Sequence, residues 1–198
     1  MAERFDTLAA DIRACRVCQP HLDHPCRPVL QDSATARIRI IGQAPGTRVQ
    51  ASGRPFTDPS GDRLRGWMGV SEAEFYDPRL FAITPMGFCF PGLDAKGGDL
   101  PPRRECAPLW QDRLTQSLES VELTLLVGAH AQRHYLDLDR RETLTATVLR
   151  WRDFLPGFVA LPHPSWRNTA WLRRNPRFEK EVLPFLRSRI REILTSAL

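Results

Sequence analysis

The sequence predicts an α/β domain in three layers, with a central, mostly parallel four-stranded sheet flanked by helices. Two observations predict it: short apolar runs alternate with segments of helical periodicity, and unusual loop segments follow several of these runs. The 198 residues, 42% of them hydrophobic, are enough for one core, and no linker, repeat or low-complexity tract interrupts residues 1–198. We therefore expect one domain.

The first half of the chain predicts two helices and two strands. Phe5, Leu8 and Ile12 recur at helical spacing up to residue 15, and the apolar run 37–41 follows as a buried strand. A second helix is expected from residue 60 to residue 68, with a serine as its cap, an acid in its first turn and a glycine after its end. Residues 80–84 form the second predicted strand.

The second half continues the alternation. Pro101 and Pro102 precede a helix of about fifteen residues, as expected of prolines near a helix start. A strand is predicted at 123–127, and Gly128 forms the turn between this strand and the helix that follows it. The remaining predicted elements are a helix over 130–136, a helix over 144–151, a strand over 158–161, and one or two helices within 168–197.

The loop after the first predicted strand, GQAPGTRVQASGRPF at 42–56, contains three glycines and two prolines before a phenylalanine. Glycine lets another backbone or a ligand approach closely, and proline fixes φ, so this composition predicts a stiff loop. Such a loop at the carboxyl end of a parallel strand is typical of a ligand site, although an ordinary βα connection has the same features. His163, in the run HPS after the fourth strand, is expected at the same edge.

The net charge of +5 is concentrated at the end of the chain, where eight basic residues against three acidic ones follow residue 163. Trp166, Trp171 and Phe178 are interspersed among them, a composition that suits phosphate contacts and base stacking. A solvated helix face is the alternative interpretation, and packing against the sheet is the alternative for Trp171.

Two features predict a cytoplasmic location. The start, MAERFDTLAADIRA, carries charges where a signal peptide has an apolar run, and no stretch is long enough for a membrane helix. We therefore expect no membrane partner, and we expect a monomer. Five cysteines in a reducing compartment indicate thiols or metal ligands rather than disulfides.

Taken in order, these motifs resemble the uracil-DNA glycosylase superfamily, particularly its bacterial and archaeal iron-sulfur branch. The resemblance rests on a CxxC near the start, the glycine-proline loop ending in GRPF, two later cysteines and the late HPS. It implies a uracil-DNA glycosylase-like fold and a DNA repair enzyme that flips out uracil or another deaminated base. It further implies monofunctional hydrolysis of the N-glycosidic bond in damaged, uracil-containing or single-stranded DNA.

The resemblance also implies site residues. The catalytic candidates that it implies are His163, to stabilise the departing base, and Gln43, through its backbone region; Asp58 is added because it lies just beyond Phe56 in the sequence. The base-binding candidates are Ala44, Gly46 and the stacking residue Phe56. The DNA-binding candidates are Ser165 on a phosphate, Trp166 and Arg167 in the space vacated by the flipped nucleotide, and Arg173.

Three positions depart from the family pattern. Ala44 stands where the well-known uracil enzymes have a water-orienting carboxylate, Gln50 where the iron-sulfur branch often has an acid, and Pro85 where that branch has an asparagine. Asp58 and Asp62 are the nearest replacement carboxylates, although Asp62 also fits the role of a first-turn helix acid. A catalytically weak or inactive DNA-binding protein on the same scaffold is therefore the alternative function.

The cysteines allow more than one metal interpretation. The resemblance implies a 4Fe-4S cluster held by Cys15, Cys18, Cys89 and Cys106. Zinc is the alternative cofactor, because two cysteines, two histidines and a further cysteine lie within twelve residues (Cys15, Cys18, His21, His24, Cys26). The absence of any metal is the third possibility.

Overall fold

The computed structural model describes residues 5–196. Residues 1–4 and 197–198, which include the start of the charged amino-terminal segment and the predicted end of the last helix, lie outside this range. The strands are β1 (Ile38–Ile41), β2 (Phe81–Ile83), β3 (Leu123–Val127) and β4 (Phe158–Leu161). The α-helices are α1 (Phe5–Ala14), α2 (Thr47–Ser52), α3 (Pro59–Met68), α4 (Glu72–Phe75), α5 (Cys106–Ser117), α6 (Ala129–Tyr135), α7 (Leu144–Leu149), α8 (Thr169–Arg174) and α9 (Leu183–Thr195).

The strands form one sheet in the order β2-β1-β3-β4, and each neighbouring pair is parallel. Ile38 lies opposite Phe81 on one side and opposite Leu123 on the other, which sets the register of the central strands. All residues of β1 and β3 are buried, as expected of parallel strands covered on both faces. The predicted α/β architecture is thus confirmed.

The two faces of the sheet pack against different helices. Ile38 and Ile40 belong to a core that includes Leu64 of α3 and Leu186 of α9. A second core joins α1 to α5 and reaches the sheet at Ala82, which lies beside Arg39 in the register. Because side chains alternate along a strand, these two cores lie on opposite faces, which gives the three layers.

A buried arginine secures the second face. The Arg39 guanidinium donates to Thr84 Oγ1 at 2.7 Å, to Thr115 Oγ1 at 2.9 Å and to Gln111 Oε1 at 2.8 Å. Burial lowers the pKa of Arg39, and these acceptors replace the water that it loses. Gln111 in turn donates its amide to the Pro85 carbonyl at 2.8 Å, so the network fixes the chain where it leaves β2.

Several boundaries differ from those predicted. α3 begins at Pro59, with Asp58 before it, because proline is well suited to the first helical position. α7 ends at Leu149, and a 3-10 turn at Trp151–Phe154 replaces its predicted last turn. The end of the chain holds two α-helices, α8 and α9, with a π-helical turn at Phe178–Val182 leading into the second. Within residues 5–196, no helix combines the length and apolar character needed to cross a membrane.

Candidate active site

A cleft opens at the carboxyl edge of the sheet. Segments that follow β1, β2 and β4 contribute to it, so the three loops predicted to converge do so. The cleft encloses about 530 Å³, including the solvent at its mouth. Its lining comprises Val29, Gly42, Gln43, Ala44, Pro45, Gly46, Val49, Pro55, Phe56, Asp58, Ser60, Ile83, Pro85, Asp99 and His163.

The glycine-proline loop is more structured than its sequence predicted, since its middle forms the short helix α2. Gly53 ends α2 in the left-handed conformation at φ 72°, and its N–H donates to the Val49 carbonyl at 2.8 Å. Gly42 is needed for a different reason. A Cβ at that position would lie 3.2 Å from Cζ of Phe56, so the ring packs directly over the backbone that leaves β1.

Phe56 is held in an unusual backbone conformation, with φ at 55°. Its carbonyl accepts a hydrogen bond from the Tyr76 hydroxyl at 3.0 Å, and its ring packs edge-on against Phe75 at 6.1 Å between centroids. A Cβ on Gly61 would lie 1.8 Å from the same carbonyl, so only glycine fits there. Positive φ at a bulky residue costs energy and is concentrated at functional sites, which agrees with the predicted role of Phe56 as a platform.

His163 lines the cleft as a neutral imidazole with a defined tautomer. The backbone N–H of Ser165 donates to Nδ1 of His163 at 3.2 Å, so the proton of the neutral ring lies on Nε2. Burial lowers the pKa of His163, and the negative charge of Asp58 opposes this effect only in part. Among the described residues Nε2 has no hydrogen-bond partner, which leaves a neutral donor for a bound molecule.

The segment after His163 is fixed by three further hydrogen bonds. Asn168 Nδ2 donates to the His163 carbonyl at 2.7 Å, Arg63 donates to the Ser165 carbonyl at 2.9 Å, and Ser165 Oγ accepts from the Arg167 N–H at 3.3 Å. Trp166 is left 74% exposed beside the Arg167 guanidinium. A rigid loop thus presents an aromatic ring and a cation at the protein surface.

The rest of the basic segment is largely structural. Arg187 donates to the carbonyls of Trp67 and Gly66, and Arg191 pairs with Glu74. Trp171 donates its ring N–H to Thr145 at 2.8 Å and packs against Phe178, so packing is its role. Arg173 remains exposed with no hydrogen-bond or ion-pair partner among the described residues.

The carboxylates near the cleft are not equivalent. Asp58 lines the cleft, whereas Asp62 does not and pairs with Arg65 at 2.5 Å. Asp99, which the sequence gave no reason to select, also lines the cleft. Gln43 uses its amide to bind the Leu100 carbonyl at 3.3 Å, and the backbone N–H groups of Gln43 and Ala44 have no partner among residues 5–196.

The comparison with protein families identifies the scaffold. The family model for the uracil DNA glycosylase superfamily matches residues 30–187. The chain belongs to the uracil DNA glycosylase superfamily. Members of this superfamily generally hydrolyse N-glycosidic bonds in DNA, so family membership supports DNA as the partner and DNA repair as the context. The match includes the glycine-proline loop, Cys89, Cys106 and His163, but it begins after the CxxC motif.

A second cavity in this superfamily member is lined by all five cysteines, Cys15, Cys18, Cys26, Cys89 and Cys106. It encloses about 340 Å³ including solvent, and burial raises the pKa of both Cys89 and Cys106 to about 12. The Phe88 N–H donates to Cys106 Sγ at 3.5 Å. The two cysteines of the CxxC motif therefore line the same cavity as the two later cysteines, and Cys26 lies beside Cys89.

The arrangement differs from a preformed site for one ion. In the part of the chain that is described, no three His, Cys, Asp or Glu side chains are close enough together to hold a single ion. The histidines of the local zinc alternative do not line the cavity: His21 is exposed, and His24 stacks on Phe90 at 5.3 Å. Thiols spread around a cavity suit the donor set of an iron-sulfur cluster, whose four metal atoms are bound by separate cysteines.

Proposed function

We propose that this protein is a monofunctional DNA glycosylase that flips uracil or another deaminated base into the cleft and hydrolyses its N-glycosidic bond. The observation that carries the proposal is that one cleft contains both the ring of Phe56 and the neutral donor of His163. An enzyme that excises a base must hold that base outside the stack and stabilise it as it leaves. These two side chains supply those two functions.

Base binding is assigned to the loop that follows β1. The ring of Phe56 offers a stacking face, while the short side chain of Ala44 leaves space for the edge of the base. The partnerless N–H groups of Gln43 and Ala44 are suited to bind a carbonyl oxygen of that base. The short side chain of Ala44, together with the hydrogen bond that holds the Gln43 amide on the Leu100 carbonyl, allows the backbone donors to approach the ligand directly.

Leaving-group stabilisation is assigned to His163. As the glycosidic bond breaks, negative charge accumulates on the base and positive charge on the sugar. The neutral imidazole already carries its hydrogen on Nε2, so it can donate to the oxygen of the base with no change of protonation state. The Ser165 N–H fixes the orientation of the ring. Stabilisation of the positive sugar is assigned to Asp58, which lines the same cleft and whose charge acts on His163.

DNA binding is assigned to the surface next to His163. Ser165 is expected to bind a phosphate, and the exposed ring of Trp166 with Arg167 is expected to fill the gap left by the flipped nucleotide. Arg173 extends this cationic surface. Among residues 5–196, no lysine lines the cleft, and Lys96 lies outside it, which favours hydrolysis without a covalent intermediate.

The second cavity is assigned to a 4Fe-4S cluster bound by Cys15, Cys18, Cys89 and Cys106. When bound, the cluster would join the amino-terminal segment to the chain on either side of the loop that follows β2. Its role is structural, because the cysteine cavity and the cleft have different linings.

One observation favours an inactive DNA-binding protein as the second candidate. Ala44 and Pro85 bring neither a carboxylate nor an amide to the cleft, and Gln50 has a buried amide oxygen with no partner among the described residues.

The experiment that separates the candidates incubates the protein with oligonucleotides containing uracil, hypoxanthine or xanthine, followed by alkaline cleavage. Strand breaks at the altered base support the glycosylase. Binding of these oligonucleotides without any strand break would contradict it and favour the second candidate.

A further inference from the structure

Asp99 is brought to the cleft by a loop of its own. The loop at residues 91–100, here called the Asp99 loop, is a small hairpin in which Leu93 bridges Asp99 and the Leu100 N–H donates to the Gly92 carbonyl at 3.0 Å. At its tip, Asp94 Oδ1 accepts from the N–H groups of Lys96 at 2.7 Å and Gly98 at 2.9 Å. These bonds define the conformation of the hairpin, so the position of Asp99 is defined as well.

The hairpin is packed against both walls of the cleft. A Cβ on Gly46 would lie 3.2 Å from Oδ2 of Asp99, so the carboxylate lies over the backbone of the glycine-proline loop. A Cβ on Gly98 would lie 3.1 Å from Nη1 of Arg167, which places the other side of the hairpin against the segment that follows His163. Asp99 is therefore part of the cleft and lies against the same loop that contains Ala44, where the familiar carboxylate is missing.

The two cleft carboxylates are suited to different tasks. Asp58 acts electrostatically on His163, whereas Asp99 lies against Gly46 of the loop that follows β1. A hydrolytic water must attack the sugar from the side opposite the departing base. Since Asp58 acts on His163, which is assigned to that base, Asp99 is the cleft carboxylate that is left for the water.

We propose that Asp99 binds and deprotonates the attacking water, an inference that rests on the proposed glycosylase function. The water oxygen forms a bond to C1′ of the deoxyribose, and the C1′–N bond breaks with its electron pair passing to the base. The proton of the water goes to the Asp99 carboxylate and then to solvent, while the base anion, bound by His163, takes a proton from solvent. The products are the free base and an abasic sugar.

The charges around Asp99 are consistent with this task. Burial raises the pKa of Asp99, the negative charges of Asp58 and Asp94 raise it further, and the Arg167 guanidinium lowers it. A base with a raised pKa accepts a proton more readily than an ordinary aspartate, provided that the solution is alkaline enough to keep it ionised. The rate of base release should therefore fall as the pH falls through the pKa of Asp99.

The test compares Asp99→Asn, Asp58→Asn and the control Asp112→Asn, which alters an exposed aspartate outside the cleft. Single-turnover base release is measured across a range of pH on the oligonucleotide that the wild-type protein cleaves. Binding is measured on the same oligonucleotide with a 2′-fluoro substitution that prevents cleavage. We expect Asp99→Asn to lower the rate by about a hundredfold or more, with binding unchanged and the acidic decline lost. Asp112→Asn should match the wild type.

Two outcomes would overturn the assignment of Asp99. One is an Asp99→Asn variant that keeps the wild-type rate. The other is a slow Asp99→Asn variant that retains the acidic decline, particularly if Asp58→Asn removes it. A wild-type protein that releases no base from any oligonucleotide contradicts the glycosylase proposal itself, so the two failures are distinguishable.

Discussion

Ser165 determines the tautomer of His163. Its backbone N–H donates to Nδ1 at 3.2 Å, and a backbone N–H can act only as a donor, so Nδ1 is unprotonated and Nε2 carries the hydrogen. The His163 carbonyl is held by Asn168 at 2.7 Å, which limits rotation of the segment. Two residues of the HPS motif thus form one unit, in which the serine backbone orients the histidine ring.

Acidification should destabilise the protein through His163. Burial lowers its pKa in the folded state below the value of about 6.5 expected in the unfolded chain, so the unfolded chain binds the proton more strongly. At pH values well above about 6.5, His163 is neutral in both states and its titration does not lower the free energy of unfolding. That free energy decreases as the pH falls through about 6.5. Urea unfolding at about pH 7.5 and about pH 5 should show a smaller loss for His163→Gln than for the wild type. Equal losses in the two proteins would contradict this expectation, and the exposed His21→Gln serves as the control.

Replacing Phe56 by alanine should weaken binding of a DNA substrate containing the excised base. The loss should be about 1 to 3 kcal/mol, the usual contribution of stacking one base on an aromatic ring. Phe154→Ala is the matched control, because Phe154 is also partly buried but does not line the cleft. Fluorescence titration should show weaker binding for Phe56→Ala only, although both variants are expected to be less stable. Equal binding by the two variants would remove Phe56 from base recognition.

Tyr76 should act on the cleft indirectly. Its hydroxyl lies 2.8 Å from the Pro55 carbonyl and 3.0 Å from the Phe56 carbonyl, and thereby supports the positive φ of Phe56. Tyr76→Phe should lower the free energy of unfolding by about 0.5 to 1.5 kcal/mol, the usual net value of one hydrogen bond. Urea unfolding measures this change. An unaltered unfolding free energy would show that the hydroxyl does not hold the loop.

Arg167→Ala and Arg173→Ala should each weaken DNA binding and reduce its dependence on salt. A variant with one phosphate contact fewer releases fewer counterions when it binds DNA. The magnitude of the slope of log K against log salt should therefore fall by about one per lost contact. Arg177→Ala is the control, because Arg177 already pairs with Glu181 at 2.8 Å. Titrations at several salt concentrations provide the slopes. A slope that changes in the control but in neither of the other two variants would place the DNA-binding surface elsewhere.

The cysteine cavity can be tested by colour and by substitution. Anaerobically purified protein should be brown, and Cys106→Ser should lose this colour and its iron because one of four ligands is removed. Cys26→Ser should keep both, since Cys26 is the cysteine outside the proposed ligand set. Iron and zinc analysis of each variant measures the outcome. Colourless wild-type protein with one zinc per chain would overturn the cluster, and loss of iron in Cys26→Ser would make Cys26 a ligand.

The strands were predictable because a parallel sheet buries both faces. Residues 123–127 and 158–161 were predicted with the bounds that the structure has, since runs of buried apolar residues leave little choice. The cleft position followed from the same pattern, because the carboxyl ends of parallel strands share one edge. Helix α2 could not be predicted in this way: it is six residues long and lies between glycines, so it has almost no periodic signal.

The residues that the sequence did not indicate as part of the cleft or the cysteine cavity are those that tertiary contacts bring there. Asp99 lies in a polar hairpin that resembles any surface loop, and only its packing against Gly46 brings it to the cleft. Cys26 was considered only with its sequence neighbours, although its thiol lies beside Cys89, far along the chain. The basic segment was misleading for the same reason, because net charge does not reveal that Arg187 binds the carbonyls of Gly66 and Trp67.

The most direct test of the proposed chemistry is the single-turnover rate of base release by His163→Ala, measured beside its affinity for the uncleavable 2′-fluoro oligonucleotide. Removing a well-placed donor to a developing anion usually costs about a hundredfold to a thousandfold in rate. We therefore expect a loss of at least about a hundredfold, with affinity close to that of the wild type. A His163→Ala protein that releases the base at the wild-type rate would contradict the assignment of leaving-group stabilisation to this cleft.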